Sequence, residues 1–295
     1  MRILAPAKIN VFLRITGRRP DGYHLLDSLM VPISLCDEVQ IEAWNGERKK
    51  VVSSQHSVVS SEEETITITC DDPTLPTDGT NLAYKAAALL CKEANIQARI
   101  VIHLRKRIPA GAGLGGGSSD AAAVLKGLNT LLSFGLDEKR LCILAARLGA
   151  DVPFFIPCKP ARVQGIGEIL TPVPPLPAKW FVVIVPPFGV STPWAYRRFD
   201  ELPPLGNDSQ HIELTAGQWP QAQLLVNDLE RAVIPAHPLI AELKERLFRQ
   251  GAEHALMSGS GSAVFGMFAV RTQAEHAAHA LREMGKTFVV EHLKQ

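Results

Sequence analysis

Charge of one sign is what this sequence lacks most plainly. Its 31 basic and 30 acidic residues leave a formal net charge of +1. A nucleic-acid binder ordinarily carries a basic excess or a basic face, so no nucleic-acid partner is expected. Cysteines are few and odd in number: Cys36, Cys70, Cys91, Cys142 and Cys158, with no C-x-x-C pair. That argues against a disulfide framework and a zinc site, and scattered free thiols suit a reducing cytoplasm. The histidines form no H-E-x-x-H pattern, and His276 and His279 have no third ligand near them in sequence. No protein metal site is assigned on these grounds. No apolar run approaches the roughly 18 residues of a membrane span, so no membrane partner is expected. Residues 1–15 are interrupted by Lys8, Asn10 and Arg14, which is not the pattern of a signal peptide. No segment suggests an obligate protein partner.

What is present reads as α+β. The 295 residues suit one large domain or two medium ones. Apolar and polar residues alternate over 7–15, 38–44, 65–69 and 99–108, the period of half-buried strands in an antiparallel sheet. Ile9, Val11, Leu13 and Ile15 share one face of the first. Residues 45–64 are polar and serine-rich, a turn and a surface hairpin. Helical spacing appears over 81–94, with Leu82, Ala86, Leu89 and Leu90 on one side, then over 119–132 and 141–148, the last with Gly149 as C-cap. Proline-rich stretches at 153–160 and 170–177 mark a change of character and place a boundary near residues 160–165. The expected domains are 1–163 and 164–295. The second contains strands at 180–185, 263–268 and 288–290 and helices at 239–250 and 272–284.

The densest chemical signal is Pro109-Ala110-Gly111-Ala112-Gly113-Leu114-Gly115-Gly116-Gly117-Ser118-Ser119-Asp120, between an expected strand and an expected helix. Glycines let backbone N–H groups approach an anion without a Cβ in the way. A helix start adds unsatisfied N–H groups and the positive end of its dipole. Ser118 and Ser119 add hydroxyls. A dinucleotide-binding reading of Gly111-x-Gly113-x-x-Gly116 needs a buried parallel strand before it, and here the strand is amphipathic. A Walker A reading fails because no Gly-Lys-Ser/Thr closes the loop. The basic run Arg105-Lys106-Arg107 just before it is either a solvated face or support for the phosphate site.

The pattern P-x-G-x-G-L-G-G-G-S-S-D-A-A resembles the phosphate loop of the GHMP kinases, the superfamily of galactokinase, homoserine kinase and mevalonate kinase. The resemblance implies a two-domain GHMP kinase fold: an N-terminal domain like the second domain of ribosomal protein S5, and a ferredoxin-like C-terminal domain. Ala5-Pro6-Ala7-Lys8-Ile9-Asn10-Val11-Phe12-Leu13, Gly17-Arg18-Arg19-Pro20-Asp21-Gly22-Tyr23-His24, Leu148-Gly149-Ala150-Asp151-Val152-Pro153, Gly165-Ile166-Gly167-Glu168 and Met257-Ser258-Gly259-Ser260-Gly261-Ser262 extend it over nearly the whole chain. These resemble the members that phosphorylate the 2-hydroxyl of a cytidine-diphosphate-linked methylerythritol on the non-mevalonate route to isoprenoids. What the resemblance implies is therefore a small-molecule kinase with ATP as co-substrate, Mg2+ accompanying the nucleotide, and a cytidylyl alcohol as acceptor.

The same resemblance assigns catalysis to Lys8 and Asp151, a cation and a carboxylate of the kind phosphoryl transfer uses to align a hydroxyl and offset charge. Residues 109–119 are assigned to ATP. Asn10, on the strand face of Lys8, Tyr23, His24, Thr192 and Tyr196 are assigned to the cytidylyl substrate. In that reading Tyr23 and Tyr196 are the aromatic walls around the base. The metal ligands are not assigned, and Asp120 reads as a helix-start residue.

Overall fold

The chain is described by a computed structural model over residues 1–45, 66–204 and 214–293. The expected hairpin at 45–64 falls almost wholly outside them.

The first sheet is built on one long strand. β1 (Arg2–Arg18) runs antiparallel along β2 (His24–Asn45), from Arg2 opposite Gln40 to Arg18 opposite His24. β3 (Ile66–Cys70) precedes α1 (Leu82–Ala94), and β4 (Ala98–Arg105) leads through the glycine segment into α2 (Gly116–Leu131). α3 (Glu138–Ala146), β5 (Ala161–Gly165) and β6 (Ile169–Pro172) follow. The other edge of β2 is shared: β4 pairs with its residues 38–45 and β5 with 26–30. β3 pairs with β4 in parallel, so the sheet is mixed rather than purely antiparallel. β5 straddles residue 163, and β5 and β6 still pair in this first sheet.

Local signals explain the helix limits. Asn81 caps α1, its side chain accepting from the Ala83 N–H, and Asn95 closes the helix in the left-handed conformation. The face α1 buries is Ala83, Ala86, Ala87 and Leu90. Asp137 caps α3 through the Arg140 N–H. α3 ends at Ala146, so Gly149 is not its C-cap and lies instead in the turn before Asp151. α2 starts at Gly116, three residues before the expected start, because Gly115 turns the chain with φ +73.

The second sheet takes β7 (Trp180–Val185), β8 (His254–Met257), β9 (Val264–Phe268) and β10 (Lys286–Glu291) in the antiparallel order β10-β7-β9-β8. Between its first two strands lie α4 (Thr192–Asp200), α5 (Glu230–Val233) and α6 (Leu239–Arg249), and α7 (Arg271–Leu281) lies between the last two. This is the ferredoxin-like arrangement. α6 and α7 cover one face through Leu243, Leu247, Ala274 and Leu281. The other face, with Phe181, Val183 and Phe265, packs on Ile9, Val11 and Ile33 of the first sheet.

That contact changes the reading of β1. Half-burial is the sequence expectation, yet every residue from Ala5 to Leu13 is buried. The Ile9 and Val11 face lies against the second sheet, so a lysine and an asparagine on the same strand are interior residues.

Candidate active site

Segments far apart in the chain meet in one cleft of ≈ 480 Å³. β1 supplies Lys8 and Asn10, the β4–α2 connection supplies 109–118, and the turn after α3 supplies Asp151. Thr192 and Tyr196 of α4 and Gly259 and Ser260 of the β8–β9 turn complete it. Leu75, Pro76, Leu82 and Leu104 give one end an apolar lining.

The glycine segment is shaped by its neighbours as much as by any ligand. Gly113 has φ +74, and a Cβ there would lie 2.2 Å from the Ser258 carbonyl oxygen. The Ser258 hydroxyl donates to the Gly113 carbonyl at 3.1 Å, and the Ala263 N–H donates to Ala112 at 3.1 Å. The turn of the second sheet is thus pressed onto the loop. Gly115, the N-cap of α2, would put a Cβ 2.8 Å from Phe155. It supplies no side-chain cap, and the first turn of α2 holds no acidic residue. The helix therefore begins with uncapped N–H groups, an anion cradle by geometry and dipole. Ser118 lines the cleft, whereas Ser119 is buried outside its lining.

Lys8 and Asp151 come together across 143 positions of sequence. The Lys8 ammonium lies 3.7 Å from Asp151 Oδ2, with the lysine side chain 4% exposed and the aspartate 35%. The Lys8 N–H donates to the Leu114 carbonyl at 2.9 Å, tying the strand to the glycine loop. Its Nζ donates to Asn10 Oδ1 at 2.6 Å, and Asn10 Nδ2 donates to Ser28 Oγ at 2.8 Å. Behind Asp151, Gly167 packs on Ala150, and a Cβ on it would lie 3.0 Å from the Ala150 carbonyl oxygen. A cation and a partly exposed carboxylate beside an anion cradle have the elements for moving a phosphoryl group to a hydroxyl.

Below the loop lies a cluster that sequence reasoning missed. Lys106 Nζ donates to Asp37 and, at 2.5 Å, to Asp120 Oδ2. Asp37 Oδ1 also accepts the N–H groups of Arg107 and Ile108, at 2.5 and 2.8 Å. The Lys106 side chain is therefore not solvated, and Asp120 lies past the first turn of α2 with its side chain buried. The cluster joins the start of the glycine segment to α2. Burial opposes charge on Lys106, but Asp120 and Asp37 together raise its pKa. Burial pushes the Asp120 carboxyl up to about 7, Lys106 opposing and Asp37 adding to the shift. An acid whose pKa rises on folding favours the fold below its unfolded pKa, and that contribution is lost as pH rises through its folded value. Relative to Asp120→Asn, the wild type is expected to lose stability between pH 3.8 and about 7. Thermal melts of both proteins at pH 5 and pH 8 check this; a pH-independent difference refutes it. The signal available in sequence was the Arg105-Lys106-Arg107 run, and nothing in sequence pointed to Asp37.

Among the aromatic residues assigned to the base, one pair is in contact. His24, not Tyr23, stacks on Tyr196, with centroids 4.8 Å apart and planes 26° from parallel. His24 Nε2 lies 2.6 Å from Asp200 Oδ1, and Arg18 pairs with the same carboxylate at 3.3 Å. Tyr23 is 61% exposed, and neither it nor His24 lines the cleft. Burial, and secondarily the Asp151 charge, raise the Tyr196 phenol. The Thr192 and Ser260 hydroxyls are hydrogen-bonded at 2.7 Å. That 192–200 forms a helix presenting Thr192 and Tyr196 on successive turns was not foreseen.

A glycine cradle at a helix start, facing a lysine–aspartate pair between an N-terminal mixed sheet and a ferredoxin-like unit, defines a small-molecule kinase of the GHMP class. Models of the GHMP kinases N terminal domain and of the GHMP kinases C terminal match residues 81–158 and 213–287. A 4-diphosphocytidyl-2-C-methyl-D-erythritol kinase of Citrifermentans bemidjiense is 42% identical over 279 residues, 94% of this chain and 93% of the relative. One of Geobacter metallireducens is 39% identical over 298 residues, covering 98% and 97%. A crystal structure of 4-(cytidine 5'-diphospho)-2C-methyl-D-erythritol kinase superposes with TM-score 0.78 at 35% identity, both chains fully covered. A homoserine kinase structure from Cytophaga hutchinsonii shares the fold at TM-score 0.67 and 18% identity, over 100% of this chain and 94% of that one. The chain belongs to the 4-diphosphocytidyl-2-C-methyl-D-erythritol kinase family.

Proposed function

We propose that this protein transfers the terminal phosphoryl group of ATP to the 2-hydroxyl of 4-diphosphocytidyl-2-C-methyl-D-erythritol, giving the 2-phosphate and ADP, in non-mevalonate isoprenoid precursor synthesis. The observation that carries the proposal is the Lys8–Asp151 pair, 3.7 Å apart, in one cleft with the glycine cradle. The polyphosphate lies along residues 109–118, on the uncapped start of α2, and the adenosine occupies the apolar end near Leu82 and Leu104. Asp151, the more exposed partner, receives the hydrogen bond of the acceptor hydroxyl. As the oxygen–phosphorus bond forms, the bond from the γ-phosphorus to the β–γ bridging oxygen breaks, and Asp151 takes the hydroxyl proton. Lys8 offsets charge on the moving group.

ATP would enter as its magnesium complex, and the ion would offset phosphate charge. The cleft residues whose donors suit it are Asp120 and Asp151, hard carboxylate oxygens of the kind it prefers. The cytidylyl end is held by Thr192, by the His24–Tyr196 stack, and by Tyr23, whose exposed ring is free to close over the base. Base–aromatic stacking contributes roughly 1–3 kcal/mol. Tyr196→Ala is therefore expected to raise KM for the cytidylyl substrate about 10-fold while kcat changes less than about 3-fold. An unchanged KM removes Tyr196 from the base pocket.

The proposal is tested by coupled ADP release with ATP and Mg2+, using 4-diphosphocytidyl-2-C-methyl-D-erythritol beside homoserine, mevalonate and galactose. Turnover with the cytidylyl substrate alone is the expected result. Turnover with another acceptor only, or with none, overturns it.

A further inference from the structure

Sequence reasoning places Asn10 among the substrate contacts, yet in the structure its residue is 0% exposed and both ends of its amide are taken up. Oδ1 accepts from Lys8 Nζ, and Nδ2 donates to Ser28 Oγ. The Ser28 hydroxyl in turn donates to the Phe12 carbonyl at 2.6 Å, beside the bulge where the β1–β2 register shifts between Asn10 and Phe12. Ser28 is itself fully buried and lines no part of the cleft.

We infer that Ser28 is a positioning residue for phosphoryl transfer, acting through Asn10 on Lys8. The inference rests on the role proposed above for Lys8. Its physical basis is the direction of the hydrogen bonds. A hydroxyl has one proton to give and lone pairs to accept with. Because the Ser28 proton goes to Phe12, Ser28 presents a lone pair to Asn10, and only the NH2 end of the amide satisfies it. The amide oxygen must then face Lys8. In the opposite orientation the NH2 would meet an ammonium, two donors face to face, and the amide oxygen would face Ser28, whose proton is already committed. An ammonium has three N–H groups and a flexible stem, so fixing one bond restricts where the others point. One N–H is anchored on Asn10, and the charge is held on the side where Asp151 stands 3.7 Å away. The chain Phe12 carbonyl, Ser28, Asn10, Lys8 thus runs from the strand backbone to the reacting region. Substrate need touch only its last member.

Three variants and their combination test this. Ser28→Ala is expected to lower kcat about 10-fold, with KM for ATP and for the cytidylyl substrate each within about 2-fold. In an Asn10→Ala background the same substitution is expected to change kcat less than about 2-fold, because its effect passes through Asn10. Ser28→Cys fills the same space with a weak donor and acceptor, so it is expected to lose turnover as Ser28→Ala does, even if the alanine variant folds poorly. Wild-type kcat in Ser28→Ala, full turnover in Ser28→Cys, or an undiminished effect of Ser28→Ala in the Asn10→Ala background each overturns the inference. Lys8→Met, assayed beside them, separates the two levels. If that variant keeps turnover, the role of Lys8 has failed; if it is inactive and Ser28→Ala is normal, only the positioning role has failed.

Discussion

Asp151→Asn is expected to cut turnover at least about 100-fold, and Lys8→Met to do the same, with the fold of each intact. The two residues differ in burial, so the controls differ. Asp151 stands at a turn, a third exposed, with the buried Lys8 ammonium 3.7 Å from its carboxylate. An isosteric amide there is expected to change stability by no more than about 0.5 kcal/mol. Lys8 is interior, and methionine replaces its stem with an unbranched apolar chain of similar reach. What methionine cannot replace is the ammonium that sits between Asn10 and Asp151. Steady-state ADP release with thermal melts checks both variants. Loss of kcat with an unchanged melt is the expected result. Near-normal turnover in either removes that residue from the mechanism, and a large KM change at constant kcat makes it a binding residue.

Gly113→Ala carries the second large effect, and the comparison with Gly111→Ala gives it meaning. Both glycines have positive φ, +64 at Gly111 and +74 at Gly113. A left-handed alanine costs roughly 1–2 kcal/mol at either position. At Gly111 nothing lies within 4 Å of the added Cβ, so that is the whole cost to the fold. At Gly113 the Cβ would lie 2.2 Å from a backbone oxygen of Ser258, which cannot swing aside as a side chain can. The turn at 258–261 must move, and with it the hydrogen bonds from Ser258 to Gly113 and from Ala263 to Ala112. Gly113→Ala is expected to lower Tm by roughly 5 °C or more and to raise KM for ATP about 10-fold or more. Gly111→Ala is expected to lower Tm by less. Equal melts for the two would mean that the turn does not brace the loop.

Much of the architecture was legible because local signals sufficed. Alternation in 7–15 lies inside β1, that in 99–108 overlaps β4, which ends at Arg105, and Asn81 and the glycine run mark the starts of α1 and α2. The strands at 180–185, 263–268 and 288–290 and the helices at 239–250 and 272–284 all have observed counterparts. Errors came where one element is decided by another. β1 alternates like a half-buried strand, and only the second sheet lying on Ile9 and Val11 makes it interior. Gly149 resembles a helix cap, but α3 stops earlier and the glycine serves the turn that carries Asp151.

The resemblance of its motifs to the GHMP kinases supplied the chemistry and the roles of Lys8 and Asp151; what the sequence by itself determined is an anion cradle, a glycine run at a helix start. Residue type and spacing suffice for this because an anion cradle is a property of local backbone. Tertiary structure alone decided who holds whom. Asp37 meets Lys106 across 69 positions, Ser258 meets Gly113 across 145, and Asn10, in the lining of the cleft, joins Lys8 to Ser28. Such partnerships depend on strand register and on the packing of one sheet against another, and neither is written in any local stretch of sequence.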